Sequence, residues 1–329
     1  MRETLWLWLR GSALLRKLYE FPLARKPMAG LSYLLVPSRR KRRLRVRKGP
    51  GMGLMFEINP RWEMHLWEGD YELAVQQVLV DRLRPGAVFY DVGAGFGFYS
   101  SLAARLGAQV FAFEPDEENA KSLRHHAELN ALTPRIEIVR LAVLAASGVT
   151  HFEPAPQERG HGNGQVSEDP EQAITVHCTS LDDFVGLNPL PNLIKIDVEG
   201  AESEVLKGAE ELFDRCRPSV ICEVHDAANA LFVSDWLERK GYSVEYIGNR
   251  SEYPAHLVAT PQMKVRFSKV VQTAPLRIPA QEGRSVSSRE NFSGERSSSR
   301  PDCHKLIANE PRRELYRSGS LTRVETAAG

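Results

Sequence analysis

From residue 71 to residue 261 the apolar positions fall into two alternating kinds of run. Tyr71–Leu83 sets Leu73, Val75, Val78, Leu79 and Leu83 at helical spacing, and Pro85-Gly86 ends it. Ala87–Val92 is apolar but for Asp91 near its end, the pattern of a strand buried on both faces. Phe98–Leu106 reads as a helix closed by Gly107. Gln109–Phe113 then predicts a strand, Asp116–Leu132 a helix and Ile136–Leu141 a strand. After a polar segment, Ile174–Val176 is a short strand. Leu193–Val198 is a strand, Ala201–Phe213 a helix, Val220–Val224 a strand and Ala227–Lys240 a helix stopped by Gly241. Ser243–Ile247 and His256–Ala259 are the last two strands. Continuous apolar strands alternating with helices predict an α/β domain with a doubly wound, mostly parallel sheet.

The pattern differs outside this stretch. Near the start, Leu5, Trp6, Leu9, Leu14, Leu15 and Leu18 line one side of a prospective helix, with Arg10, Arg16 and Lys17 off it. Arg39 to Lys48 reads RRKRRLRVRK, eight basic residues in ten. An apolar stripe plus a polybasic run fits a peripheral contact with a membrane surface. It also fits a helix packed on the core and followed by a solvated basic strand. Arg10 interrupts the apolar stretch, so it is a poor signal peptide. Beyond Pro261 the pattern dissolves, and residues 281–329 are rich in Ser, Arg and Glu, the composition of a disordered tail. The expected organisation is a basic extension over 1–50, one domain over 51–261 and a polar tail over 262–329.

Composition adds a division of charge. The chain of 329 residues carries a net charge of +1. Residues 1–50 hold 14 Lys/Arg against 2 acids, and residues 262–329 hold 13 against 7, which leaves the domain strongly acidic. An acidic domain argues against a nucleic-acid platform, which would present a basic face. The four cysteines show no C-x-x-C spacing, so neither a zinc site nor a disulfide framework is expected. A reducing, cytoplasmic setting follows, with the membrane surface as a peripheral option.

The candidate chemistry begins at VFYDVGAGFGFYS, residues 88–100, where a strand meets a helix. A glycine loop there lets a ligand approach the backbone and the helix N-terminus. No Lys-Ser/Thr follows the last glycine, which excludes a P-loop. The dinucleotide fingerprint would want a third glycine where Phe98 stands. Asp91, two residues before Gly93, suits a cation and repels a pyrophosphate. S-adenosylmethionine, which has no phosphate and bears an ammonium and a sulfonium, meets these demands. Asp91, Gly93, Gly95 and Gly97 match the D-x-G-x-G-x-G motif of class I methyltransferases. Glu114 ends the second strand, 17 residues after Gly97, where an acid can accept from both ribose hydroxyls.

The chain resembles the FkbM family of S-adenosylmethionine-dependent methyltransferases over roughly residues 50–260. The resemblance rests on WEGDYE (67–72), VFYDVGAGFGFYS (88–100), VFAFEPDEEN (110–119), TSLDDF (179–184), LIKIDVEGAESEVLKGAEELF (193–213) and SVICEVHD (219–226). The block beginning LIKIDVEGAE is the most specific. The resemblance implies a seven-stranded Rossmann-like sheet and O-methylation of a hydroxyl on a sugar, glycan or other natural product. Tyr71 and Glu72 match the family's G-x-Y-E element, which puts them over the cofactor mouth. Arg140 stands where the family often has Asn.

Lys195, Asp197 and Glu199 recur at period two, so they start on one face. In the implied fold the fifth strand lies beside the fourth and ends at Glu223 and His225. Asp197, Glu199, Glu223 and His225 should therefore cluster above the sheet. Asp197 and His225 are the candidate bases for an acceptor hydroxyl, with Glu199 and Glu223 orienting it. Lys195 reads as a partner neutralising Asp197 or Glu199. Two or three carboxylates with a histidine could hold Mg²⁺, but the spacing demands no metal and none is assigned. The polar stretch 153–172 is the candidate for acceptor specificity. The rival readings are an RNA methyltransferase, a dehydrogenase and a non-catalytic S-adenosylmethionine-binding module. The chain lacks the Asn/Asp-Pro-Pro-aromatic pattern of base-amino methylation, which weakens the first.

Overall fold

The computed structural model of the protein describes residues 41–59, 62–154, 164–167, 171, 173–249 and 252–262. The predicted apolar stripe before residue 40, the tail beyond 262 and most of the 153–172 stretch lie outside the described residues. Among the described residues no helix is long and apolar enough to cross a membrane.

The end of the basic run is part of the folded domain. β1 (Arg42–Arg45) pairs antiparallel with β2 (Met55–Ile58). Their side chains alternate, so Phe56 and Ile58 enter the core while Arg43 and Arg45 face outward. Two helices follow, α1 (Met64–Glu68) and α2 (Leu73–Arg82). The second starts two residues after its predicted start, because Glu72 has a left-handed φ of 40° and belongs to the turn before it.

The central sheet contains β3 (Val88–Val92), β4 (Gln109–Phe113), β5 (Ile136–Val139), β10 (Leu193–Ile196), β11 (Ser219–Val224), β12 (Tyr242–Ile247) and β13 (Ala255–Pro261). Its order is β12-β13-β11-β10-β3-β4-β5. β5, β4, β3, β10 and β11 are mutually parallel, and β13 runs antiparallel between β11 and β12. This is the predicted seven-stranded, mostly parallel Rossmann-like sheet.

Each strand feeds both faces. Tyr90, Val92, Ile194, Ile196, Val220 and Cys222 enter one core with the helices α5 (Leu181–Phe184), α6 (Glu202–Lys207), α7 (Glu210–Arg215) and α8 (Ala227–Arg239). Phe89, Val110, Ala112, Leu193 and Ile221 enter the other with α2, α3 (Phe98–Arg105) and α4 (Glu117–Leu129). By the same parity Asp91, Glu114, Lys195, Asp197, Glu223 and His225 belong to this second face. Helix starts are capped where the sequence supplies an acceptor. Asp116 accepts from Asn119 N–H at 2.8 Å at the start of α4, and Asp226 accepts from Ala228 and Asn229 N–H at 2.7 and 2.8 Å at the start of α8.

Two expectations are corrected. The single helix over Ala201–Phe213 is two short ones, divided at Gly208-Ala209. There the chain passes the loop after β6 (Ala142–Val143) so closely that a Cβ on Gly208 would lie 2.3 Å from the Leu144 carbonyl. Asp182 then caps α7 from outside, accepting from Leu212 N–H at 2.7 Å. The strand at Ile174 runs to Thr179 and is not in the central sheet. As β9 it joins β6, β7 (Gly148–Glu153) and β8 (Gln165–Val166) in a separate four-stranded sheet. β7 escapes the apolar pattern because Phe152 is its one buried side chain.

Candidate functional site

The glycine loop closes because two strands meet under it. Gly93 has φ 80°, and a Cβ there would lie 1.7 Å from the Asp197 carbonyl oxygen at the end of β10. Only glycine permits both. The backbone N–H groups of Gly93 and Ala94 donate to Phe113 O at 3.1 and 2.9 Å, which ties the loop to β4. Glu114 follows Phe113, and its carboxylate is 4% exposed. Gly95 N–H donates to its Oε2 at 2.7 Å and Asp116 N–H to its Oε1 at 2.9 Å. Burial outweighs these bonds and pushes the Glu114 pKa up to about 7.

A cleft of about 520 Å³ opens above these strand ends. Its lining includes Gly93, Gly95, Glu114, Asp197 and Glu199. Phe152 and Val166 of the four-stranded sheet line it as well, with Leu141 and Ala142. Asp91, Gly97, Tyr71, Glu72, Glu223 and His225 are not in that lining. Asp91 lies below the loop, 1% exposed, and accepts from Ser100 Oγ at 2.6 Å. Burial raises its pKa, and the nearby Lys195 partly offsets this. Gly97 packs against Leu123 at the start of α3. The Tyr71 ring stands against Phe98 and Tyr99, 5.2 and 5.9 Å between centroids.

A continuous ionic network runs from beneath the loop across the ends of β10 and β11. Lys195, buried, holds Asp197 Oδ2 at 2.7 Å and stands 4.8 Å over the Tyr99 ring. Burial alone would lower its pKa; the charges of Asp197, Asp91 and Glu72 reverse the sign and raise it. His225 Nε2 lies 3.2 Å from Glu199 Oε2 and 3.8 Å from Asp197 Oδ1, and its Nδ1 is 2.8 Å from Glu202 Oε1. Burial would lower its pKa too, but the bond to Glu202 and the charges of Glu199, Glu202 and Asp197 raise it to about 9. Asp197, Glu223 and His225 present ligand atoms within 4.8 Å of one another. The structure therefore brings together the four side chains the sequence placed above the sheet.

The network also holds members that the sequence reading did not name. His256 Nε2 lies 3.4 Å from Glu223 Oε2 and 3.3 Å from Glu72 Oε2. Burial would lower its pKa; Glu223 and Glu72 raise it to about 9. Glu72 also accepts from Tyr99 O–H at 2.5 Å. Burial works to raise the Glu72 pKa, yet His256, Lys195 and Tyr99 bring it down to about 2. His256 reaches the site because β13 places it directly across from Glu223. Glu202 is fully buried and fixes the His225 ring. Its signal was its place three residues after Glu199, at the start of α6.

The family profile described as "Methyltransferase FkbM domain" matches residues 91–244. Hexuronic acid methyltransferase AglP of Haloferax volcanii is 30% identical over 186 residues, 56% of this chain and 74% of that protein. The chain belongs to the FkbM methyltransferase family. The 31-O-demethyl-FK506 methyltransferase FkbM of Streptomyces tacrolimicus is 28% identical over 209 residues, 51% of this chain and 79% of that protein. The 2-O-methyltransferase NoeI of Sinorhizobium fredii is 28% identical over 171 residues, 44% of this chain and 67% of that protein. Among solved structures, a methyltransferase FkbM from Methylobacillus flagellatus is 17% identical with a TM-score of 0.40, covering 58% of this chain and 52% of that one.

In this FkbM methyltransferase one further histidine acts on the loop. The Glu57 N–H donates to His126 Nε2 at 3.1 Å, so the ring proton is on Nδ1, which donates to Phe96 O at 2.8 Å. His126 thus bridges the β1–β2 hairpin to the glycine loop. Its 13-residue helix places it on the buried side, a position the sequence pattern shares with ordinary core residues.

Proposed function

We propose that this methyltransferase binds S-adenosylmethionine across Gly93, Gly95 and Glu114 and methylates a hydroxyl of a sugar, glycan or related natural product. The observation that carries the cofactor reading is Glu114. Two backbone N–H groups hold its carboxylate at 2.7 and 2.9 Å at the rim of the cleft. Asp91, Glu72, Asp197, Glu199, Glu202 and Glu223 outnumber Lys195, His225 and His256 around the loop, and this surplus suits a cationic ligand. The acceptor reading is supported by relatives named for hexuronic acid, demethyl-FK506 and 2-O methylation.

When bound, the cofactor supplies a methyl group on a positively charged sulfur. The chain's own work is alignment, proton removal and exclusion of water. Holding an acceptor hydroxyl in line provides several kcal/mol by proximity. Asp197 Oδ1 is buried with no hydrogen-bond partner while Oδ2 is held by Lys195, so Oδ1 is the open site for the hydroxyl proton. Asp197 Oδ1 would take the acceptor hydroxyl's proton as that oxygen receives the methyl group. His225, kept protonated by three carboxylates, positions Asp197 and Glu199 and is not the base. Phe152 and Val166 line the same cleft as Asp197 and would help to exclude water from it.

The test is calorimetric titration with S-adenosylhomocysteine, with NAD as control, on wild type and Glu114→Ala. The expected result is one site in wild type, no NAD binding, and affinity at least about a hundredfold weaker in the variant, for the loss of charge-assisted bonds. Folded wild type that binds no S-adenosylhomocysteine overturns the reading.

A further inference from the structure

The ends of β10 and β11 carry more than a base. Three donor side chains, Asp197, Glu223 and His225, come from adjacent parallel strands, and their ligand atoms lie within 4.8 Å of one another. Donors around one ion at about 2.1 Å lie no more than about 4.2 Å apart, so a small closure joins them. Asp197 is half committed. Lys195 holds Oδ2 at 2.7 Å, while Oδ1 is buried and has no hydrogen-bond partner, on a side chain only 10% exposed.

The histidine is oriented as a ligand is oriented. Nδ1 faces Glu202 Oε1 at 2.8 Å, and Gly200 N–H pins the same oxygen at 2.9 Å. Glu202 itself is fully buried. A carboxylate behind one ring nitrogen keeps the Nδ1 proton and turns Nε2 outward, and the Nε2 proton carried by the metal-free ring is released to solvent when an ion binds there. Here Nε2 points to Glu199 Oε2 and Asp197 Oδ1, at 3.2 and 3.8 Å.

We infer that Asp197, Glu223 and His225, with Glu199 beside them, form a site for a divalent first-row cation at the ends of β10 and β11, where Asp197 and Glu199 border the cleft. Carboxylates with one imidazole suit Mn²⁺ or Zn²⁺, and thiol-seeking ions find no sulfur ligand in this set. The inference rests on the O-methyltransferase reading for its role. An acceptor hydroxyl bound to the ion becomes more acidic. Asp197 is then a ligand, and the proton passes to Glu199, whose side chain is 27% exposed and open to solvent.

The probe is Mn²⁺. The full chain is stripped with chelator, and free Mn²⁺ is followed by electron paramagnetic resonance during titration, with Zn²⁺ calorimetry in parallel. The expected result is one ion per chain, with binding at least about tenfold weaker in Asp197→Asn and in His225→Gln, changes that remove one ligand each. His256→Gln and Glu114→Ala retain binding. Circular dichroism and melting curves show that each variant is folded. Absence of stoichiometric Mn²⁺ and Zn²⁺ binding by folded wild type overturns the inference and leaves an ion-pair network only. So does binding that survives both ligand substitutions or that His256→Gln abolishes. S-adenosylhomocysteine titration of the same samples separates the two readings. Cofactor binding without metal sinks the cation site alone, and metal binding without cofactor sinks the methyltransferase mechanism alone.

Discussion

Glu114 holds its charge in a place that resists it. Burial raises its pKa to about 7, although two N–H groups face the carboxylate. The ionised form is the one that can accept from two ribose hydroxyls. S-adenosylhomocysteine affinity should therefore rise about tenfold from pH 6 to pH 8, and Glu114→Gln should flatten the profile. Stability runs the other way. A carboxyl with a raised folded pKa contributes stability below its unfolded pKa of about 4.5 and loses it as pH rises through about 7. The melting temperature of wild type relative to Glu114→Gln should fall over that window. Titration calorimetry and melting curves at five pH values check both signs. This residue was legible because its distance from Gly97 is set by one helix and one strand. His256 was not, because only antiparallel register puts it across from Glu223.

The elements divide in the same way. Strands buried on both faces were read nearly to the residue, since a run such as VFYDV, with Asp91 as its one polar residue, shows no alternation. The helix at 201–213 was not, because the close pass of Gly208 by Leu144 is a tertiary contact without local signal. The four-stranded sheet was missed for its exposure, yet it supplies one wall of the cleft. Phe152 packs on Ala142, Val176 and Cys178 and lines the same cleft as Glu114. Phe152→Ala should cost about 3 kcal/mol, and the lost wall should raise the KM for the cofactor more than it lowers kcat. Phe152→Leu should restore most of both. A fall in kcat with unchanged KM would place Phe152 outside the cofactor's side of the cleft.

Across the described residues, two apolar cores cover the two faces of one sheet, and a chain of charges lies on one of these faces at the ends of β10 and β11. Lys195 is its middle link. It sits on β10 between Asp91 of β3 and Asp197, and Glu72 reaches it from the start of α2. Such a cation is not there to add stability over an apolar residue, because desolvation offsets most of the attraction. Its loss is another matter, because it leaves several buried carboxylates uncompensated. Lys195→Met should destabilise the protein by about 3–5 kcal/mol at pH 8. The deficit should shrink toward pH 5. Burial already pushes the Asp91 pKa up, and without Lys195 that carboxyl takes a proton more readily. Asp91→Asn on the Lys195→Met background should recover part of the loss at pH 8, since it removes one of the stranded charges. Denaturant unfolding at the two pH values measures all three terms of this cycle. A deficit that is constant with pH and untouched by Asp91→Asn would mean that Lys195 acts through packing against Tyr99 and not through the carboxylates.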